Sequence, residues 1–460
     1  MTTIWWLRRD LRLTDNAALQ ASLEAGFVIP VFILDPAFDS TSARRKEFLY
    51  EGLHALDKDL RTRNSYLVIR KGKSIEVLRQ LMQETGATQI FAEKDFTPYA
   101  RKRDLEIEHH LPLTLVSGQT VHHPTAILKA DGKPYTVYTP YSKIWKAKLP
   151  AQIELYPASE KINTPTDIQS EPLPRYKVSP LFVAGEKEAL VRLEEFLFKR
   201  IYSYAEDRNR MDLDGTSSLS PYLRFGMLGL RQAVSAAKQA IGQKRSAGAE
   251  VWLNELIWRE FYIQILYHFP YVAKIAFNQS LANIPWRNNA SEFEAWKSGE
   301  TGVPVVDAAM RQLKGIGWMH NRARMIVASY LVKDLLIDWR WGEAWFMENL
   351  LDGDRAANNG GWQWTAGTGT DAAPYFRIFN PVLQSAKFDP NGDYIRQWVP
   401  ELRGVDTKDI HAPWERGIRV RGYPVKPIVE RDKERTLQAY QESKLIGSKS
   451  GEVKSHHPLA

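Results

Sequence analysis

The chain contains no cysteine. That removes disulfides, thiolate nucleophiles and sulfur-built zinc sites, and it suits a reducing compartment such as the cytoplasm. No apolar run reaches the roughly 18 residues of a membrane-spanning helix, so no membrane partner is expected. The opening MTTIWWLRRD lacks the apolar segment of a secretion signal. No G-x-G-x-x-G follows the first apolar run; Arg8-Arg9-Asp10-Leu11-Arg12 stands there instead, which argues against a nicotinamide-type dinucleotide site in that region. No internal repeat and no low-complexity block occurs. The pair His456-His457 lies in a polar stretch, GSKSGEVKSHHPLA, that reads as idle tail, so no metal site is expected.

What is present begins with size. At 460 residues and 44% hydrophobic content, the chain exceeds what one core usually supports, and two domains are expected. The 62 Lys and Arg against 54 Asp and Glu give a formal charge of +8, which favours a polyanionic partner. Of 15 tryptophans only Trp5, Trp6 and Trp145 precede residue 250, so the two halves carry different tasks. Short apolar strands at 3–7, 27–34, 66–70, 89–92 and 113–116 alternate with helical patterns at 42–63, 74–86 and 98–110. That alternation predicts an α/β N-terminal domain with a doubly wound parallel sheet over 1–130. Residues 131–189, rich in Pro, Thr and Ser, read as an interdomain linker running over the surface. From 190 to 440 the pattern is all-α, with helices expected near 186–201, 227–241, 249–268, 303–313, 319–337 and 342–351; residues 441–460 read as a flexible tail.

The stretch from Trp339 to Pro381 concentrates chemistry. Asp352-Gly353-Asp354 is expected to end an apolar helical run, Trp345 to Leu351. Asn358-Asn359-Gly360-Gly361 is expected to turn and let backbone approach a ligand, with Trp362 and Trp364 following. Two acids, two amides and paired indoles suit a flat, polar ligand. Thr216-Ser217-Ser218-Leu219-Ser220-Pro221 places small hydroxyls before a helix, which reads either as a simple N-cap or as an anion site. Glu255, Trp258, Arg259 and Tyr262 share one helical face, and Asn321 and Met325 share another, flanked by Arg322 and Arg324.

DGDRAANNGGWQW and GTDAAPYFRIFNP resemble the flavin-binding heart of the photolyase–cryptochrome family, as do TSSLSPYLRFG, WLNELIWREFY, TGVPVVDAAMRQLKGIGWMHNRARM and the opening TIWWLRRDLRLTDNAAL. The likeness covers nearly the whole chain, weakening at 151–190 and after about 440. It implies FAD held by Tyr204 and the Thr216–Ser220 hydroxyl loop at the diphosphate, and by Trp252, Glu255, Arg259, Asp354 and an Arg324–Asp352 ion pair nearer the rings. It places Asn358 beside flavin N5, where an amide oxygen can accept the N5–H. Trp286, Trp339 and Trp362 are implied as an electron-hopping chain. Glu255, Asn321, Met325, Trp258 and Trp364 are implied around a DNA lesion, the two indoles as flat walls. Arg208, Arg322 and Arg377 match phosphate-contact positions, with Lys387 and Arg403 as weaker candidates.

The resemblance also carries an activity: light-driven repair of cyclobutane pyrimidine dimers in UV-damaged DNA, with the class I enzymes as the nearest type. Six-four repair in this family relies on two histidines where Asn321 and Met325 stand here, and His320 points about 100° away on a helix. The rival is a cryptochrome-type photoreceptor without repair. A second, antenna chromophore is implied in the α/β domain. The glutamate that contacts folate in one branch falls on Ala100, which favours 8-hydroxy-5-deazaflavin over methenyltetrahydrofolate. A monomer in the cytoplasm, at the nucleoid of a prokaryote, is expected.

Overall fold

A computed structural model describes residues 1–38, 41–177, 181–243 and 246–453, with side chains to 445. It forms two compact units, Met1–Ala205 with Thr216–His268, and Glu206–Gly215 with the residues from Phe269 onward. The helices at 216–268 fall within the first of these units.

In the first unit β1 (Thr2–Leu7), β2 (Phe27–Leu34), β3 (Val68–Lys71), β4 (Gln89–Glu93) and β5 (Leu113–Val116) make one sheet, ordered β3-β2-β1-β4-β5. Every pairing is parallel. Ile4, Trp5, Trp6 and Leu7 are all buried because helices cover both faces of the central strand. The helices are α1 (Ala17–Ala25), α2 (Ala43–Arg61), α3 (Ser74–Thr85) and α4 (Pro98–His110). α1 was not expected from the sequence, although Asn16 caps it by accepting from the Leu19 N–H. The strand order reverses between β1 and β4, where Arg12 pairs with Glu93 at 2.8 Å in the interior.

Residues 131–189 are not a plain surface connector. They contain α5 (Tyr138–Ala147), which buries Tyr141 and Trp145. Tyr138, Tyr141 and Trp145 fall at helical spacing, and the prolines around them hid that stripe. The unit continues through α6 (Glu186–Lys199), the single turn α7 (Tyr204–Asp207), α8 (Ser220–Phe225), α9 (Leu230–Gln243) and α10 (Ala247–His268). α5 lies along α10: Trp145 Nε1 donates to Glu260 at 2.5 Å, Gln264 donates to Tyr135 O at 2.7 Å, and Tyr141 packs on Phe261. Gly248 is required at the start of α10, since a Cβ there would lie 2.1 Å from Ile201 O.

The second unit is helical among its described residues, with α11 (Ala290–Ser298), α12 (Pro304–Ile316), α13 (Asn321–Ser329), α14 (Trp339–Asn349), α15 (Arg355–Ala366), α16 (Pro381–Phe388), α17 (Asp393–Trp398) and α18 (Lys433–Val453). Its core centres on Trp296, Trp339, Trp362, Phe346, Met310 and Tyr330. The helix expected over 319–337 runs unbroken from Asn321 to Asp334, its end widened to π. A π-turn occupies Tyr330–Asp334, closed by Leu335 N–H to Tyr330 O, and Leu336 is held at φ +53°. The flexible tail expected from 441 is helix as far as Val453; 454–460 lie outside the described residues. Tyr440 anchors that helix by donating to Ala366 O at 2.7 Å and meeting Trp286 edge-on. No helix among the described residues is long and apolar enough to cross a membrane.

Candidate cofactor and nucleic-acid site

The second unit carries the larger share of the candidate residues, several of them on α13 and α15. α15 overturns one expectation: Asn358-Asn359-Gly360-Gly361 is helix interior, not a turn. Asp354 makes this possible by accepting from the Ala356 and Ala357 N–H groups, and Gly367 ends the helix at φ +78°. Two glycines inside a helix each cost about 1 kcal/mol relative to alanine. At Gly361 a Cβ would meet open space, so packing does not demand the missing side chain there. The close approach lies instead on α14, where a Cβ at Gly342 would sit 2.1 Å from the Trp362 ring.

Asn358 donates its amide N–H to Glu343 O at 3.0 Å, which leaves the carboxamide oxygen as its acceptor. Asp352 accepts from Arg324 at 2.8 Å through one oxygen, while the other is buried without a partner. Buried polar atoms are nearly always satisfied, so that bare Asp352 oxygen suits a ligand donor. FAD fits this donor and acceptor set.

α13 is capped by His320, whose Nδ1 accepts from the Arg322 N–H at 3.1 Å. Burial, and then the Arg322, Arg324 and Arg208 charges, push the imidazole down to about 4, so it stays neutral. Turned inward as a cap, His320 cannot share the outer face with Asn321 and Met325, whose Nδ2 and Sδ lie 3.8 Å apart. Arg322 donates to Asn209 at 2.5 Å and stacks on Phe388, 4.3 Å from the ring centroid. Burial, Arg208 and Arg377 lower its guanidinium to about 10. The three expected phosphate arginines are therefore close enough to feel one another. Lys387 lies over Phe388, and Arg403 donates to Arg396 O at 3.3 Å.

Trp339 and Trp362 are buried and Trp286 is half-buried against the same core. No direct ring contact among the described residues joins these three. The indole facing Trp362 is Trp296, 6.2 Å away at 69°, which sequence reasoning had not singled out. Trp364 is half-buried on α15.

The first unit carries the remaining candidates. Ser217 is half-buried in the hydroxyl loop, Ser218 is held at φ +51°, and Thr216 Oγ1 lies 3.4 Å from its hydroxyl; Leu219 is buried and Ser220 begins α8. Tyr204 meets Phe196 edge-on and Phe196 packs on Trp252, so Trp252 and Tyr204 share one aromatic cluster. Glu255, Trp258 and Arg259 lie half-buried on α10, and Arg259 donates to Leu223 O at 3.4 Å. Just beyond them Glu260 is wholly buried, and desolvation raises its carboxyl to about 7 despite donors from Trp145 and the backbone of Val121 and His122.

The sequence matches DNA photolyase over residues 3–161 and the FAD binding domain of DNA photolyase over residues 252–442. It is 40% identical to the deoxyribodipyrimidine photo-lyase of Escherichia coli (strain K12), covering 96% of this chain and 99% of that protein. The chain belongs to the DNA photolyase family. Among solved structures of the family, a bacterial class III photolyase from Agrobacterium tumefaciens superposes with a TM-score of 0.91 at 37% identity, covering 96% of this chain and 98% of that one. A Synechocystis sp. PCC6803 cryptochrome superposes at 0.86 with 29% identity, covering 96% and 98%. The parallel-sheet domain and the helical FAD-binding domain expected from the sequence are those of the family.

Proposed function

We propose that this photolyase repairs cyclobutane pyrimidine dimers in UV-damaged DNA, under light, with FAD bound without a covalent link. When bound, the flavin supplies the light-driven electron to the dimer and takes it back after the ring has split. The residues do the rest. Asp352, Arg324 and the Asn358 oxygen hold and orient the flavin rings, with Tyr204 and Thr216–Ser220 at its diphosphate. Asn321, Met325 and Glu255 receive the dimer, walled by Trp258 and Trp364. Trp286, Trp339 and Trp362 carry electrons inward to keep the flavin reduced.

The observation that carries this reading is the arginine group beside the Asn321–Met325 face. Arg208 and Arg377 both bear electrostatically on the half-buried Arg322, and such a concentration of positive charge favours a polyanion. A phosphate backbone is such an anion, and it would deliver a flipped-out dimer to α13. Asn321 and Met325 in place of two histidines favour the cyclobutane dimer over the six-four product.

For the antenna, Ala100 is buried in the first turn of α4 and offers no carboxylate to a folate, so we favour a deazaflavin. Arg103 lies 4.7 Å from the buried Trp6 ring and 5.7 Å from the exposed Tyr99, and pairs with Asp104 at 2.8 Å. A monomer working in the cytoplasm completes the proposal. The test is an absorption spectrum of the purified protein, mass spectrometry of its released chromophores, and dimer repair under near-UV and blue light against a dark control. Flavin without light-dependent repair would point to a cryptochrome; a folded protein that takes up no FAD would end the reading.

A further inference from the structure

Trp258 does not stand alone on α10. The Tyr138 ring lies flat against its indole, with centroids 3.7 Å apart and planes 4° from parallel. The Tyr138 hydroxyl donates to Asn254 O at 2.8 Å, the carbonyl one turn before Trp258 on the same helix. Phe261 meets the indole edge-on at 5.4 Å, and Tyr262 lies 5.5 Å away at 34°. The indole thus has one face covered and its plane set by a ring anchored to its own helix. A flat ligand can stack only from the other side.

Tyr138 is itself held. It opens α5, whose later residues are fastened to α10 by Tyr141 on Phe261 and by Trp145 to the buried Glu260. A half-buried indole with no such backing has two soft dihedrals and loses that freedom when a ligand stacks on it. Tyr138 removes the loss in advance.

We propose that Tyr138 is a positioning residue for dimer recognition: it fixes the plane of Trp258, so that the segment between the sheet and α6 takes part in choosing the lesion. This rests on the placement of Trp258 against the dimer proposed above. Tyr138 touches neither dimer nor flavin in this account. Its effect is on affinity for damaged DNA, not on the yield of the splitting step.

The test is a double-mutant cycle read by dark binding to a duplex carrying one cyclobutane thymine dimer and to the undamaged duplex. Tyr138→Leu is expected to weaken dimer binding roughly three- to tenfold, the worth of one aromatic stack. Binding to undamaged duplex, FAD content and the repair yield at saturating dimer should hold. Tyr138→Phe, which keeps the ring, should hold dimer affinity to within about twofold; unchanged FAD content and undamaged-duplex binding, with the Trp258→Ala background, separate the role from general packing. In a Trp258→Ala background Tyr138→Leu should add nothing. Tyr138→Met gives a second ringless variant should leucine disturb α5. Wild-type dimer affinity in a folded ringless variant, or an undiminished effect without Trp258, overturns the inference. Loss of affinity in Trp258→Ala alone leaves the repair reading standing while Tyr138 falls. No loss in Trp258→Ala removes the placement of Trp258, and the inference with it.

Discussion

Arg324 donates to one oxygen of the Asp352 carboxylate at 2.8 Å, and the other oxygen of that carboxylate is buried with no partner among the described residues. Asp352 sits on the turn between α14 and α15, just before the helix that carries Asn358. A buried carboxylate oxygen left dry is destabilising by about 1–3 kcal/mol, and a ligand N–H would relieve it. Asp352→Asn should therefore lower flavin retention more than it lowers apoprotein stability. The flavin-to-protein ratio after gel filtration, set beside thermal unfolding of the apoprotein, separates the two effects. Full retention of FAD in Asp352→Asn would take Asp352 out of the flavin site.

Arg208, Arg322 and Arg377 are expected to act as one phosphate clamp. Replacing any one by alanine should reduce the slope of log affinity against log salt by about 0.9 for duplex DNA. An unchanged salt slope for Arg322→Ala would leave that residue a packing partner of Phe388 and nothing more.

Trp362 and Gly342 form a tight pair, with no room for a Cβ between them. Gly342→Ala should destabilise the protein by roughly 1–3 kcal/mol through overpacking, and displace the indole. Trp362→Phe keeps most of the volume and should fold and bind FAD. It should fail to photoreduce oxidised flavin from a thiol donor, yet repair dimers once chemically reduced. Photoreduction at the wild-type rate in Trp362→Phe would make Trp362 purely structural; the same result in Trp296→Phe is expected only if Trp296 stays outside the relay.

Glu260 ties α10 to α5 and to residues 121–122, and burial raises its carboxyl to about 7. A folded-state value above that of the unfolded chain means that the native state holds the proton more tightly. The stabilisation is complete below the unfolded value near 4.5 and is lost as pH rises to about 7. Denaturant unfolding of the wild type and of Glu260→Gln should therefore differ in slope between about pH 4.5 and 7 and run parallel above it. His320, lowered to about 4, contributes the opposite slope, which cancels in the difference. Parallel curves across the whole range would show that folding leaves the proton affinity of Glu260 unchanged.

The sequence alone determined the sheet. Its five strands are short apolar runs, and a run apolar on both faces has few alternatives to a covered parallel sheet. It also determined the pairings that helical periodicity enforces: Asn321 with Met325, and Glu255 with Trp258 and Arg259. Long motifs placed Arg324 and Asp352 together although they are far apart in the chain.

Where local propensity and packing disagreed, only the tertiary structure decided. Asn358-Asn359-Gly360-Gly361 has the composition of a turn, yet the Asp354 cap and the seat that Gly342 offers Trp362 hold it as helix. The region 441–453 looks like tail, yet Tyr440 buried against Trp286 and Ala366 anchors it as helix. The helix expected over 319–337 widens to π at Tyr330–Asp334, and no sequence period marks that change. Tyr138 stood hidden among prolines, because its partner Trp258 lies 120 positions away on α10. A stack of that kind is set by the distance between two helices, which no spacing along the chain encodes.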